Sequence, residues 1–541
     1  MHADAHPSPR ARGFSLGLWL LLTLGLTVPA RAQAPSSTAP LTLTLDEAVQ
    51  VALVSNHALR LARLEVQNAD AQVREAWGQV LPQVDVSSSY TRNLEAANPF
   101  AGSDAGGLFG SLGFIDWLAF NETARTDADP STDPIDFGEF QERQLDGLRE
   151  AGISVGGNEN PFFVPNQFVG TLSVSQALYN SSAFAAITGA ERLKEINRQG
   201  VNRQEQLIVD QVRTAYLQAV LADEQARTVD QSVVRTEVTL REVSLQVRQG
   251  IAPKFQRLTA EVQLANLQTQ LVQAQNAAVS AVDNLKRTLG IPAEQVIRLE
   301  DTLQLDTTGD YLTTSVTDAV QVALERRPDL RQAALAVQLR EVDRRLTRAQ
   351  YLPSVSAFAN MSYIGNVPDS RTFTISDPDD PFSFSRGSNS FFSSSYWNPS
   401  VGVGLQLSWN LFNGFQTTAR MQQRQIAIDR ARVEEDQLLQ SIQLEVAQAL
   451  RDLEAARQQV AAQEVNVERA ELNYEYASAR LREGVAGPLV EREASDLLDQ
   501  SRVNYLQAAF DYLRARSALE TAIGLPPFDD SQRSTLRMTT R

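Results

Sequence analysis

The sequence predicts a mainly α-helical chain that also carries β-strands of membrane-spanning length and consists of two copies of one unit. Three observations lead to this fold class. The phrase "DEAVQVALVSNHALR" at 46–60 returns as "TDAVQVALERRPDLR" at 317–331. Both copies contain stretches of about ten residues in which apolar and polar side chains alternate, as they do along a half-buried strand. Both also contain long segments with apolar or small residues at steps of three and four, which is the spacing of supercoiled helices.

The first 32 residues are predicted to be a secretory signal peptide. Arg10 and Arg12 form a charged start, an apolar run leads from Phe14 to Val28, and residues 30–32 read Ala-Arg-Ala, which suits a cleavage site. The apolar run is too short to span a membrane as a helix. We therefore expect an exported protein whose mature chain begins near Gln33.

Composition argues against several classes of function. The chain of 541 residues has no cysteine, so it has no disulfide, no thiolate metal site and no cysteine-linked lipid. His57 is the one histidine after the predicted signal peptide, which argues against histidine catalysis and multi-histidine metal sites. The net charge of −16 argues against nucleic acid as a partner. Because no Ser-His pairing, metal cluster or phosphate loop is recognisable, we expect neither an enzyme nor a cofactor.

The two copies span residues 43–292 and 314–526, and a tail follows at 527–541. Beyond the opening phrase, "SVSQALYN" (173–180) resembles "QLSWNLFN" (406–413). Each copy has one order of segments: a helix, a strand, a polar loop, a second strand and two further helices. The predicted helices are 46–79, 184–249 and 254–289 in the first copy, and 317–350, 416–483 and 488–523 in the second. The repeat alone leaves an ordinary duplicated soluble domain open as an alternative.

Four strands are predicted, two in each copy, at about 83–92, 168–178, 354–363 and 400–411. In "VGVGLQLSWN" (401–410) valine, leucine and tryptophan alternate with glycine, glutamine, serine and asparagine. About ten residues suffice for a tilted transmembrane strand. An open sheet edge is not tolerated in lipid, and known transmembrane barrels start at about eight strands. Several chains must then share one barrel, with two, three or four copies giving eight, twelve or sixteen strands.

The segments between the paired strands, 91–167 and 364–399, are rich in glycine, proline and aspartate. We expect long irregular loops on the outer face of the membrane. Their acidic runs, such as "SDPDDP", are a hypothesis for calcium binding. A solvated acidic loop is the alternative, because no EF-hand spacing is present.

The long segments with helical periodicity form two antiparallel hairpins. Gly-Ile-Ala-Pro at 250–253 and Gly-Val-Ala-Gly-Pro at 484–488 supply turn residues at the two tips. A helix from 184 to 249 would reach roughly 100 Å at about 1.5 Å per residue. A bilayer core is about 30 Å thick, so the hairpins must project far from the membrane.

This combination resembles the TolC-like outer-membrane efflux protein family over roughly residues 41–527. The strand-to-helix corners "SVSQALYN" and "QLSWNLFNG", the helix starts "LDEAVQVAL" and "VTDAVQVALERRPDL", and the tip glycines carry the resemblance. It implies a homotrimer with a shared 12-stranded β-barrel in the outer-membrane lipid and a coiled-coil α-helical barrel across the periplasm. It also implies a passive exit duct of a tripartite efflux or type I secretion system. Such ducts are opened by a periplasmic adaptor (membrane fusion) protein and an inner-membrane pump or secretion ATPase.

The resemblance also assigns functional residues. It places adaptor docking at the tips: Gly250, Ile251, Ala252, Pro253, Gly484, Val485, Ala486 and Gly487. The family's closed tip often carries acidic rings just after the second tip; Glu493 occupies one such position, whereas Val490 occupies the other. Glu491 or Asp496 could substitute, although a solvated helix face explains all three acids equally well.

The polar faces of the strands suggest which side chains line the channel. Asp85, Gln406 and Asn410 are the predicted lumen residues, and their polarity would set selectivity. A periplasmic adaptor or another coiled-coil structural protein of an export system remains the alternative function. It would require soluble β-domains and a single hairpin in place of four membrane-length strands.

Overall fold

The computed structural model of the chain describes residues 41–95, 112–127, 132–153, 163–303, 305, 315–483 and 485–525. The predicted signal peptide at 1–32, the tail at 527–541 and the tip residue Gly484 lie outside the described residues. Helices account for most of what is described. None of the helices in these ranges combines the length and the apolar character that a membrane-crossing helix needs.

The helices form two matching sets, one in each repeat, and each set contains two opening helices, a long helix and a return helix. In the first repeat these are Leu45–Ser55, His57–Gly78, Ser181–Arg248 and Lys254–Leu289. In the second repeat they are Val316–Arg326, Pro328–Ala349, Gln416–Arg482 and Pro488–Ile523. Each long helix packs along its own return helix over much of its length.

The prediction of one continuous opening helix in each repeat, at 46–79 and 317–350, is wrong. The first breaks at Asn56, whose side chain accepts hydrogen bonds from the backbone N–H groups of Ala58 and Leu59 and so caps a new helix. The second breaks at Arg327 because Pro328 occupies the first turn of the next helix, where proline starts a helix but cannot continue one.

Each break docks on the C-terminal end of the return helix of its own repeat. In the first repeat, Asn56 Nδ2 donates to the carbonyl of Thr288 (2.7 Å), and Ser55 Oγ donates to that of Leu289 (2.6 Å). In the second, Arg327 donates to the carbonyl of Ala522 (3.2 Å). These contacts satisfy carbonyls that a helix end leaves without intrahelical partners. They therefore fix where the long hairpins begin.

A four-stranded antiparallel sheet joins the two repeats in the order β2-β3-β5-β8. Its strands are Gln83–Arg92, Asn166–Tyr179, Ser354–Val367 and Trp397–Ser408. Two shorter pairings fell outside the sequence prediction. β1 (Leu41–Leu43) lies parallel to β4 (Ile297–Leu299), and β6 (Thr372–Ser376) forms a hairpin with β7 (Phe384–Ser388).

Three strand ends differ from the prediction by three residues or more, and one of them is the start of β8, at Trp397 in place of 400. β5 continues to Val367, beyond the predicted end at 363, because Val367 pairs with Asn166 at the start of β3. β8 stops at Ser408, before the predicted end at 411, because its partner β5 starts only at Ser354. From residue 409 the chain therefore leaves the sheet and turns toward the second long helix.

The loops between the strands are more ordered than the sequence indicates. Two loop helices, Leu112–Ala124 and Phe137–Glu150, lie between β2 and β3. Phe120 and Phe140 contact Phe382 of the β6–β7 connection at ring distances of 5.2 and 5.3 Å. The two loops thus share one aromatic core. Within the described residues, no group of three or more His, Asp or Glu side chains is arranged to hold a metal ion.

The helices line up in the same order as the strands. Beside the sheet, His57–Gly78 packs on the first long helix, which packs on Pro328–Ala349, which packs on the second long helix. Toward the tips the order is first return helix, first long helix, second return helix and second long helix. The chain is therefore four elements wide throughout, and the same two sides stay open along its whole length.

Candidate functional site

The register of the sheet places most apolar residues of the four strands on one face, although Val169, Phe358 and Ile364 lie on the other. Val84 pairs with Val174, which pairs with Ala359, which pairs with Val403. The next row on that face is Val86, Leu172, Met361 and Val401. In β8 the side chains of this face are largely exposed, Val403 to 79%. Such a broad apolar surface without a covering layer is what a lipid-facing sheet requires.

The opposite face of the sheet is mostly polar. One row across it consists of Asp85, Ser173, Asn360 and Gly402. Gln406 lies further along β8 on this same face, paired with Ser356. Asn410 lies beyond the end of β8 and has no place in the sheet register. Two of the three predicted lumen residues therefore share the polar face, and the third belongs to the corner that follows it.

The two tips share one backbone hydrogen bond, from the residue after the tip glycine back to the long helix. Gly250 adopts a φ of +78°, and the N–H of Ile251 bonds back to the carbonyl of Gln246 (2.9 Å). At the second tip, the N–H of Val485 bonds back to the carbonyl of Arg480 (2.9 Å) in the same way. The first turn thus closes its long helix with the left-handed C-terminal motif, and the second turn has the corresponding backbone hydrogen bond.

The remaining docking residues surround these two turns. Pro253 and Gly487 cap the two return helices, and Ala252 and Ala486 are partly exposed. Ile251 and Val485 are largely exposed in the single chain, to 73% and 69%. The docking prediction therefore falls on exposed turns, apart from Gly484, which is not described.

The three acidic side chains after the second tip have different surroundings. Glu493 and Asp496 are exposed on the second return helix, as a solvated face would have them. Glu491 is buried, with 4% of its surface exposed, so the solvated-face alternative is wrong for this residue. The side chain of Glu491 points in a different direction from that of Glu493, because residues two apart on a helix do not share a face.

Glu491 lies where three helices meet. The hydroxyl of Tyr474, on the second long helix, bonds to its carboxyl group. The Thr239 hydroxyl, on the first long helix, donates to Glu491 Oε2 over 3.5 Å. Burial raises the pKa of Glu491, and the negative charge of Glu242 raises it further, against the lowering influence of Tyr474, Thr239 and Arg235. This carboxyl therefore binds a proton more tightly than a solvated one.

An ion pair about two turns along the second return helix from Glu491 joins the same two hairpins. Arg235 of the first long helix pairs with Asp499 of the second return helix, and both side chains are largely buried. Ser232 Oγ donates to Asp499 Oδ2 (2.6 Å), and the Arg235 guanidinium lies 5.8 Å from the ring centre of Tyr474. Because Arg235 pairs with Asp499, its charge offsets only part of the unfavourable burial of Glu491.

A cavity of about 330 Å³ lies beside this cluster, between the first long helix and the two return helices. Phe255, Leu267 and Leu489 give it apolar walls, and the ion pairs of Arg235 and Arg492 border it. The lining side chains from the first return helix carry no titratable group. The two hairpins of one chain are thus loosely packed here, close to both tips.

Sequence reasoning missed the partners of Glu491. The sequence patterns single out none of Tyr474, Arg235, Thr239 and Asp499. A weak signal was available, because charged residues adjoin an otherwise apolar or small-residue stripe at these positions. The pairings of Asp499 with Arg235 and of Glu491 with Thr239 join residues more than 250 positions apart, and spacing within one helix cannot reveal them.

Residues 159–291 and 319–525 match the sequence profile of the family described as outer membrane efflux protein, and together they are more than half of the chain. The chain belongs to the outer membrane efflux protein family. The alkaline protease secretion protein AprF of Pseudomonas aeruginosa is 22% identical to it over 365 residues, which are 66% of this chain and 70% of AprF.

Solved structures show that the fold is also that of outer-membrane channels. The Campylobacter jejuni CmeC outer membrane channel superposes with a TM-score of 0.61 at 16% identity, over 92% of this chain and 90% of CmeC. The outer membrane protein VceC of Vibrio cholerae gives a TM-score of 0.61 at 15% identity, over 89% of this chain and 96% of VceC. The predicted family is therefore confirmed.

Membership of the outer membrane efflux protein family decides between the functions that the sequence left open. The chain is an outer-membrane exit duct for efflux or secretion. This function is the one predicted from the repeated strands and hairpins. A periplasmic adaptor, the alternative, does not account for a family match that covers both repeats and both hairpins.

Proposed function

We propose that three copies of the chain close into a tube that crosses the outer membrane as one twelve-stranded barrel. The free edges of β2 and β8 support this proposal, because unpaired strand edges are not tolerated in lipid. Joining the β8 edge of one copy to the β2 edge of the next is a head-to-tail contact, which closes into a ring when the rotation fits. The number three rests on the resemblance to TolC-like proteins.

The helices support the same closure through a second apolar stripe that sequence reasoning missed. On the first return helix, Val272 and Val279 are exposed and lie seven residues apart. On the second long helix, Val465 and Leu472 have the same spacing, are also exposed and lie at a comparable distance from the tip. A seven-residue apolar repeat is the seam of a coiled coil. We propose that these two open sides pack together between neighbouring copies and complete a helical barrel.

In this assembly the polar face of the sheet lines the channel. The apolar face needs lipid, and the ring leaves only the inside for the row that contains Asp85. Asp85 and Gln406 of each copy would then contact the solutes that pass, and Asn410 would lie at the periplasmic mouth of the barrel. The duct performs no chemistry, and its selectivity comes from this polarity and from the state of the tips.

The helical hairpins project into the periplasm, and their tips carry the partner contacts. The exposed Ile251 and Val485 suit a periplasmic adaptor protein, because apolar side chains at a tip are available for burial by another helix. The adaptor would link the duct to an inner-membrane pump or a secretion ATPase. Glu491, Glu493 and Asp496 lie behind the second tip, where they can act on its opening.

The observation that carries this proposal is a four-stranded sheet with one largely apolar face and two open edges. Conductance across planar bilayers tests it. Purified protein should form pores, and Arg235→Ala, which removes the ion pair between the hairpins, should conduct more than the native chain. Asp85→Asn should reduce the preference for cations, because it removes a negative charge from the lumen. The absence of pores from both the native chain and Arg235→Ala would contradict the proposal.

A further inference from the structure

The cluster around Glu491 is the polar connection between the two hairpins of one chain near the tips. Glu491 lies in the first turn of the second return helix and reaches Thr239 on the first long helix and Tyr474 on the second. Neither Thr239 nor Tyr474 carries a charge in this pairing. Both hydroxyls favour the ionised carboxyl, but burial opposes ionisation more strongly, so the enclosed site favours the protonated form of Glu491.

We propose that Glu491 is a proton-operated latch that holds the tip closed when its carboxyl is protonated and weakens the closed state when it ionises. The proposal rests on the proposed function, because it assumes that opening moves the second hairpin away from the first long helix. That movement would separate Glu491 from Thr239 and bring its carboxyl into water.

The effect of pH on tip opening follows from the linkage between proton binding at Glu491 and the closed conformation. In water a glutamate has a pKa of about 4.3. In the closed tip the pKa of Glu491 is raised, first by burial and then by Glu242. The closed state therefore binds the proton more tightly, and acid favours closure. As the pH rises from the solvated pKa through the raised one, the closed state loses this advantage and opening becomes easier.

The other charged groups around Glu491 do not reverse this direction. On the first long helix Arg235 is paired with Asp499, while Glu242 adds negative charge. On the second return helix itself, Arg492 pairs with Asp496, and the pKa of Asp496 is also raised by burial. The first return helix adds no titratable group to the adjoining cavity. The second long helix contributes Tyr474, whose own pKa burial raises, so it stays a neutral donor.

The test is the open probability of single pores in planar bilayers, with the periplasmic side held at about pH 5 and then at about pH 8. The native chain should be open more often at the higher pH. If the pKa of Glu491 differs by one unit between the closed and open states, the open-to-closed ratio changes about tenfold per subunit. Glu491→Gln keeps the size and polarity of the side chain but cannot ionise, so it should stay closed at both pH values.

Two further variants keep the test independent of folding. Glu491→Ala removes the contacts with Thr239 and Tyr474 and should raise the open probability at both pH values. Glu475→Gln is the matched control, because Glu475 is exposed beside Tyr474 on the second long helix and should leave the pH response unchanged.

The outcomes separate the latch from the duct. A native pore whose open probability is independent of pH, or a response that persists in Glu491→Gln, would overturn the latch and leave the duct intact. Absence of pores from every variant would instead contradict the proposed function.

Discussion

At the scale of single residues, the chain fixes the start of its hairpins with a few side chains that bond to helix ends. Arg327 is the most buried of the charged ones, with 3% of its side chain exposed, and it pairs with Asp329 and Glu445. Arg203 of the first long helix also reaches Asp329, over 3.5 Å. This network therefore joins the first repeat to the second, midway between the sheet and the tips.

Removing Arg327 should destabilise the protein strongly. Arg327→Ala leaves Asp329 partly buried beside Arg203 alone and removes the bond to the carbonyl of Ala522, and breaking a buried pair in this way costs about 3–5 kcal/mol. Arg326→Ala, at an exposed neighbouring position, should change stability by less than about 0.5 kcal/mol. Thermal unfolding followed by circular dichroism compares them. Equal unfolding temperatures would contradict the role given to Arg327.

The same network predicts a loss of stability in acid. Burial alone would raise the pKa of Asp329, but hydrogen bonds and the charges of Arg327 and Arg203 lower it below its ordinary value. A lowered pKa contributes stability that is present above the unfolded pKa of about 3.9 and disappears as the pH falls through the folded value. Asp329→Asn should therefore unfold at a lower temperature than the native chain near pH 7, and the difference should shrink as the pH falls below about 4.

Two glycines with the same backbone conformation should respond differently to alanine. Gly250 and Gly290 have φ values of +78° and +76°, so alanine costs about 1–2 kcal/mol of backbone strain at either. A Cβ at Gly250 meets open space, whereas one at Gly290 would lie 2.6 Å from the carbonyl oxygen of Ser55. Gly290→Ala should therefore unfold at a clearly lower temperature than Gly250→Ala. A smaller effect at Gly290 would show that the first opening helices do not dock there.

At the scale of elements, the sequence was most informative where one periodicity governs a whole segment. The long helices and return helices occur close to where the apolar spacing predicts them. Alternation also located all four strands of the sheet, because side chains on successive strand positions point to opposite faces. The opening helices were misjudged because their apolar pattern continues across Asn56 and Pro328, and only the capping residue and the proline signal the break.

The loop helices and the surroundings of Glu491 could not be predicted in this way. The aromatic core that stabilises the loop helices brings Phe382 from the second repeat to Phe120 and Phe140 of the first. Glu491 is buried by Thr239 and Tyr474, which belong to two other helices. Both features depend on contacts between distant segments, and a single sequence does not record which distant segments meet.

The alternation of β8 gives a direct test of its two faces. Leu405 lies on the apolar face and Gln406 on the polar face of the same strand. Arginine on the lipid face of a barrel costs about 2–4 kcal/mol near the middle of the membrane, whereas a lumen position accepts it. Leu405→Arg should therefore reduce the amount of heat-stable complex in the outer membrane, while Gln406→Arg should assemble normally and lower the cation preference of the pore. Equal assembly of both variants would contradict the assignment of the faces.

At the scale of the whole molecule, one chain supplies only part of a closed tube. Its sheet and its helical layer are each four elements wide, and both have the same two open sides. The two repeats explain this width, because each contributes two strands, a long helix and a return helix. A tube follows only if several copies join side by side, so the duct, the gate and the partner contacts at the tips all depend on that closure.

The mass of the detergent-extracted complex, with the detergent contribution removed by light scattering, tests this closure most directly. The account predicts three times the mass of one processed chain, which corresponds to twelve strands and no free edge. A stable monomer would leave β2 and β8 unpaired in lipid and would contradict both the shared barrel and the duct built on it.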